Sequence, residues 1–148
     1  MNAITLNPQV LGQAENAHRA VLDEILRNPG MTYRQWVGLT LAVTAGDDVP
    51  LDELIARLAG ALKADIATVR STLGELADAE LIEPIADAAA RIRVTALGRT
   101  RFGGVRSDIE GAMKRAYADI QAGELAIAGR VLAQVTTQMN AVLAGVRG

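Results

Sequence analysis

Cationic and short hydroxyl side chains, rather than nucleophiles or metal ligands, carry the chemical potential of this sequence. Thr68, Arg70, Ser71 and Thr72 crowd into five positions, with Ala67 immediately before them and Lys63 four residues earlier. A guanidinium can give two hydrogen bonds to a guanine edge, a contact worth about 1–3 kcal/mol of discrimination, and hydroxyls serve bases or phosphates. Arg70 is therefore the candidate base reader and Lys63 a phosphate contact, with Ala67, Thr68, Ser71 and Thr72 completing a surface suited to double-stranded DNA. The plainer alternative pairs Arg70 with Glu75 on a solvated face. Arg91 and Arg93 form a second set. In the alternating run Arg91-Ile92-Arg93-Val94-Thr95 both fall on one side of a strand, opposite Ile92 and Val94. From there they reach phosphate or a minor groove, or else form an ordinary solvated strand face.

Other chemistry is poorly provided for. With one histidine and no cysteine, thiolate and multi-histidine metal sites are excluded, as are disulfides and a cysteine nucleophile. The two serines, Ser71 and Ser107, lie in no nucleophile-elbow context, and Gly103-Gly104 belongs to no phosphate-loop pattern. Acid pairs such as Asp47-Asp48 and Asp52-Glu53 read as caps and solvated charge. No catalytic residue, metal site or cofactor is expected. His18, on an apolar stripe, reads as a buried core or interface histidine, a ligand contact or a pH switch. Met31, Tyr33 and Trp36 are candidates to line a pocket with it, against the simpler reading of aromatics packed in a core.

These side chains need a scaffold, and the hydrophobic spacing describes one. Leu11, Ala14, His18, Val21 and Ile25 step by three and four between Pro8 and Arg27, one stripe of a helix stopped by Asn28-Pro29-Gly30. Thr32 caps a second, largely buried helix running to Thr44. Leu51, Leu54, Ile55 and Leu58 mark a short third helix that Gly60 ends. Ile66, Val69, Leu73 and Leu76 mark a fourth beginning at Asp65. Leu81–Ile85 and Arg91–Thr95 read as two strands of a hairpin with its tip at Asp87–Ala90. Helical rhythm returns with Phe102, Val105, Ile109, Met113, Ala116 and Ile120. It ends in a heptad seam at Leu125, Ala128, Leu132, Val135, Met139, Val142 and Val146. That many amphipathic helices exceed what one small wing domain can cover, so a homodimer is expected.

Helix, helix, short helix, helix, hairpin, helix, helix is the order of a mostly α winged helix-turn-helix with a two-stranded wing and N- and C-terminal dimerisation helices. The segments "GMTYRQWVGLTLAV", "VPLDELIARLAGALKADIATVRSTLGELADAELIEPI" and "RIRVTALGR" resemble the multiple-antibiotic-resistance regulator (MarR) family, over nearly the whole chain. Leu51 to Ala59 resembles the first helix of the helix-turn-helix, Ala67 to Ile82 the recognition helix entering the wing, and Val94 to Arg99 the exit into a long dimerisation helix. The resemblance implies a single domain over 1–148. Its winged-helix DNA-binding lobe spans about 32–96, with dimerisation helices in 1–31 and 97–148. It further implies a two-fold dimer reading a palindromic operator, repression, and often a small apolar or aromatic effector. Glu80 stands where the family usually has a glycine ending the recognition helix, and must avoid or tolerate a left-handed cap.

Bulk properties fit that expectation. The 148 residues are 50% hydrophobic and 22% charged, enough for a folded core, with formal net charge −2 and only 3% aromatics. Met1 to Val10 has no secretory pattern and no run approaches the roughly 18–20 apolar residues of a membrane span, so a cytoplasmic location without membrane contact is expected. Between Gly46 and Arg101, however, ten acidic side chains face seven basic ones. With the short "DAAAR" wing tip, that surplus motivates an alternative: a winged-helix dimer that senses a ligand or binds protein without tight sequence-specific DNA recognition.

Overall fold

Side-chain caps set where several of the helices begin. In the computed structural model, which describes residues 3–46 and 48–148, the Asn7 side chain accepts the N–H of Val10 at 2.9 Å and opens α1 (Pro8–Arg27). Thr32 and Gln35 form a reciprocal capping box at the head of α2 (Tyr33–Thr44). A short strand β1 (Val49–Pro50) leads directly into α3 (Leu51–Leu62), whose first turn carries Asp52 and Glu53 at the positive end of the helix dipole. Asp65 caps α4 (Ile66–Asp78), and after a loop and turn the chain forms β2 (Arg91–Ile92), α5 (Ala96–Ala116) and α6 (Ala122–Arg147). No described helix is long and apolar enough to cross a membrane.

The chain divides into two compact units, 1–112 and 113–148. In the first, Leu39, Leu54, Leu58, Val69, Leu73 and Leu76 are essentially sealed from solvent, so α2, α3 and α4 share one core, which Leu26 and Val105 also enter. Gly38 lets α2 approach α4: a methyl placed there would stand 3.1 Å from Leu76 Cδ1. Trp36 and Phe102 stack with ring centroids 5.4 Å apart. In the second unit, no residue of α6 is buried within the chain, and Met139, Val142 and Val146 of the heptad seam are exposed.

Local geometry departs from the sequence reading at four places. Gly60 does not end α3; the helix continues to Leu62 and Lys63 takes the left-handed turn at φ 53°. Along α1 the buried side is that of Leu22, Ile25 and Leu26, whereas Leu11, His18 and Val21 are exposed, because neighbouring apolar residues at 21–22 and 25–26 fit two faces. Helix α5 stops at Ala116, so Ile120 lies in the turn before α6. The wing also pairs differently. Leu81–Ile85 meets the second run through one bridge, Ile82 to Val94, whereas the two-stranded antiparallel sheet joins β2 to β1, with Val49 opposite Ile92 and Pro50 opposite Arg91.

Glu80 tolerates the left-handed cap rather than avoiding it. Its φ is 59°, and α4 closes with the N–H of Leu81 on Leu76 O (2.9 Å) and the N–H of Glu80 on Ala77 O (2.9 Å). That pair of bonds is the Schellman motif, completed by burial of Leu76 and Leu81 in the same core. Thr95 then ties this end to α5. Its hydroxyl donates to Glu80 O at 2.6 Å and accepts the N–H of Gly98 at 2.9 Å, while its own N–H donates to Leu81 O at 3.1 Å.

Candidate nucleic-acid interface

Helix α4 buries Val69, Thr72, Leu73 and Leu76 and leaves Ala67, Arg70, Ser71 and Glu75 exposed, with Thr68 between the two. Asp65 anchors the first turn: its carboxylate accepts the N–H of Thr68 at 2.7 Å. That backbone hydrogen bond, then a bond from the Thr68 hydroxyl and the charge of Arg34, hold Asp65 below the usual aspartate range, against a small desolvation in the opposite direction. Arg70 is exposed and makes no ion pair among the described residues. Glu75, its suggested partner, instead accepts from Gln35 Nε2 at 2.7 Å. Lys63 is exposed at the turn that separates α3 from α4.

Thr72 does not belong to the exposed surface. It is 2% exposed, and its hydroxyl donates to Thr68 O at 2.9 Å. Position 72 lies three residues after Val69 and four before Leu76, on the core stripe. A threonine can occupy such a site because its hydroxyl is satisfied by its own helix.

Arg91 and Arg93 share one exposed face of the wing, flanking buried Ile92, as the alternation requires. They are not free there. Arg91 Nε lies 2.8 Å from Asp48 Oδ2 and its Nη2 donates to Asp48 O at 2.6 Å, while Arg93 Nε is 3.5 Å from Asp48 Oδ1. Asp47, counted among the local acids, lies outside the described residues.

The residues read as pocket-lining separate into different environments. Met31 and Trp36 are buried in the core, and His18 is exposed on α1, where its Nδ1 lies 2.7 Å from Ala14 O. Tyr33 alone borders a cleft, an open hollow of about 650 Å³ whose walls include Arg19, Arg34, Thr68, Ser71 and Glu75. Arg19 stacks over the Tyr33 ring at 3.3 Å, a cation–π contact, and pairs with Glu15 at 3.6 Å. The sequence reading missed Arg19, Arg34 and Asp48. Only cross-chain geometry brings them to α4 or the wing. No group of three or more potential metal ligands clusters among the described residues.

No family model and no curated protein matches the sequence. Solved structures do match in shape. A cysteine-to-serine mutant of MarR from E. coli superposes with TM-score 0.69 at 16% identity, covering 91% of this chain and 99% of its own. The chain has the winged-helix fold of the MarR regulators. A MarR-family protein of Mycobacterium tuberculosis in complex with DNA matches at 19% identity and TM-score 0.68, over 89% of this chain and 98% of that one. CouR from Rhodococcus jostii RHA1, bound to p-coumaroyl-CoA, matches at 17% identity and TM-score 0.72, over 85% and 88%. In this MarR-type fold α3 and α4 are the helix-turn-helix, and β1, β2 and the Leu81–Ile85 segment make the wing.

Proposed function

We propose that the chain is a transcriptional regulator of the cytoplasm, without catalytic activity, that binds double-stranded DNA as a homodimer. The observation that carries this reading is the free polar side of α4: Arg70 and Ser71 stand exposed on a helix whose opposite side is locked into the core. The DNA complex of a protein with the same fold supports it. Lys63 and Ala67 flank that surface, and Arg91 and Arg93, on the exposed face of the wing, would meet the backbone of a bound duplex once displaced from Asp48. The uncovered apolar seam of α6 supports a dimer. Two recognition helices related by a two-fold axis would read half-sites about 10 base pairs apart, hence a palindromic operator, and repression follows by steric occlusion.

An apolar or aromatic effector, a role supported by the ligand complex of a like-folded protein, would meet Tyr33 in the cleft beside Thr68 and Ser71. It would act only through a difference in affinity between DNA-competent and incompetent arrangements. The alternative, a ligand-sensing or protein-binding dimer with weak DNA recognition, is favoured by one observation, the occupation of both wing arginines by Asp48. Fluorescence anisotropy at low salt, with DNA from upstream of the chain's own reading frame and with a scrambled duplex, separates the two. Saturable, selective binding that Arg70→Ala weakens by about 1–3 kcal/mol supports the regulator. Equal binding to both duplexes refutes it.

A further inference from the structure

We propose that Asp48 is an internal competitor of phosphate that holds both wing arginines away from a duplex and so lowers the sequence-independent part of the affinity for DNA. The inference rests on the DNA-binding reading, and it is carried by the register of the sheet. With Val49 opposite Ile92 and Pro50 opposite Arg91 in an antiparallel pair, the residue before β1 stands across from Arg93 and diagonal to Arg91. The side chain there is Asp48. One carboxylate oxygen meets Arg91 Nε at 2.8 Å, the other faces Arg93 Nε at 3.5 Å, and the main-chain oxygen takes Arg91 Nη2 at 2.6 Å.

The donors engaged are those a phosphate would use. A guanidinium offers its N–H groups in a fixed fork, so an edge committed to Asp48 is withdrawn from a second anion of the same geometry. All three side chains remain about half exposed, at 46%, 49% and 57%, so a phosphate can reach the contact and displace the carboxylate. Displacement leaves the Asp48 charge beside the DNA backbone, and that repulsion weakens binding to any sequence alike. The surface of α4, which carries Arg70, is untouched.

The test uses the full chain and a labelled random-sequence duplex at low salt. Asp48→Asn should tighten binding by roughly fivefold, the scale of one exposed ion pair of about 1 kcal/mol. The salt dependence should steepen by as much as about 0.9 for each arginine released. Asp23→Asn, the same change of net charge on exposed α1, should leave affinity nearly unchanged. In an Arg91→Ala/Arg93→Ala background the gain should vanish. Thermal melts monitor folding, and Asp48→Ser repeats the measurement with a smaller side chain. Equal effects of the Asp48 and Asp23 variants overturn the proposal by reducing the gain to net charge, and weaker binding with an unchanged melt overturns it by making Asp48 a support of the wing. Heparin retention needs no operator and reads the same arginines; identical elution of wild type, Asp48→Asn and Asp48→Ser likewise overturns it. Tighter random-duplex binding without preference for the upstream region sinks the regulator reading but leaves the role of Asp48 standing.

Discussion

Gly98 provides the sharpest check on how α4 is joined to the rest of its unit, because two physical effects predict opposite signs there. It lies in the first turn of α5 and is buried; a Cβ added to it would stand 2.0 Å from Leu81 O, 2.8 Å from Val94 Cγ1 and 2.9 Å from Leu81 C. On helix propensity alone, Gly98→Ala should stabilise by up to about 1 kcal/mol. Sterically, the obstacle is backbone, and the Leu81 carbonyl would have to retreat by more than an ångström to reach ordinary contact. That carbonyl cannot move alone. It accepts the Thr95 N–H, and the Leu81 N–H closes the Schellman bond to Leu76.

Overpacking against backbone belongs at the upper end of its usual cost, about 3 kcal/mol. A weakened Thr95–Leu81 bond adds about 1 kcal/mol, offset by a similar propensity gain, for a net loss of about 3 kcal/mol. In a chain of this size that lowers the melting temperature by roughly 6–12 °C. Gly60→Ala is the control. Gly60 is an exposed residue of α3 with nothing within 4 Å of an added methyl, so alanine there should gain about 0.5–1 kcal/mol. Urea titrations of the three proteins at one fixed concentration, which holds any self-association constant, measure both. A Gly98→Ala protein as stable as wild type would refute the close-approach argument and the junction built on it.

Two further changes address the ends of α4. Glu80→Gly should raise stability by about 0.5–1 kcal/mol: relief of a left-handed L-residue is worth about 1–2 kcal/mol, part of it returned as chain entropy in the unfolded state. A denaturation midpoint that falls would mean that the Glu80 side chain contributes a contact. Asp65→Ala should destabilise at neutral pH by removing the cap. Because the folded carboxyl titrates below its unfolded value, the stability it contributes is complete above the unfolded pKa, near 4, and is lost as pH falls through the lower folded value. The gap between wild-type and Asp65→Ala melting temperatures should therefore hold constant above about pH 5 and close in stronger acid; a gap independent of pH would show that the charge plays no part.

The helices were legible because each signal was local. Thr32 with Gln35 and Asp65 before Ile66 bond residues three apart, and Leu51, Leu54, Ile55 and Leu58 repeat within one element. Where two faces of one helix were both apolar, as around residues 21–26 of α1, spacing alone could not choose, and the core packed against Leu22 and Leu26. Gly60 looked like a terminator only by residue type. The helix ran past it because Leu62 still packs on the core, and Lys63 accepted the strained turn instead. The strand pairing within the wing escaped the sequence for a related reason. A two-residue strand such as Val49-Pro50 has no period to detect, and its partner lies over forty residues away.

The same limit governs the candidate site. Exposure along α4 follows from helical spacing, which places Arg70 and Ser71 on the free side, whereas the hydroxyl of Thr72 suggests exposure and yet turns to the core, satisfied by its own helix. Electrostatics could not be read by counting at all. Two aspartates that enter the acidic surplus as equals act in opposite senses: Asp65 accepts the N–H of Thr68 and fixes the start of α4, whereas Asp48, placed by strand register, neutralises two cations of the wing. A local net charge treats both as repelling DNA. On the proposed DNA-binding reading the geometry separates them: removing the first should loosen α4, the helix proposed to read bases, and removing the second should release arginines proposed to meet phosphate, so the sign of an aspartate's effect on binding is set by which N–H groups its backbone position brings within reach.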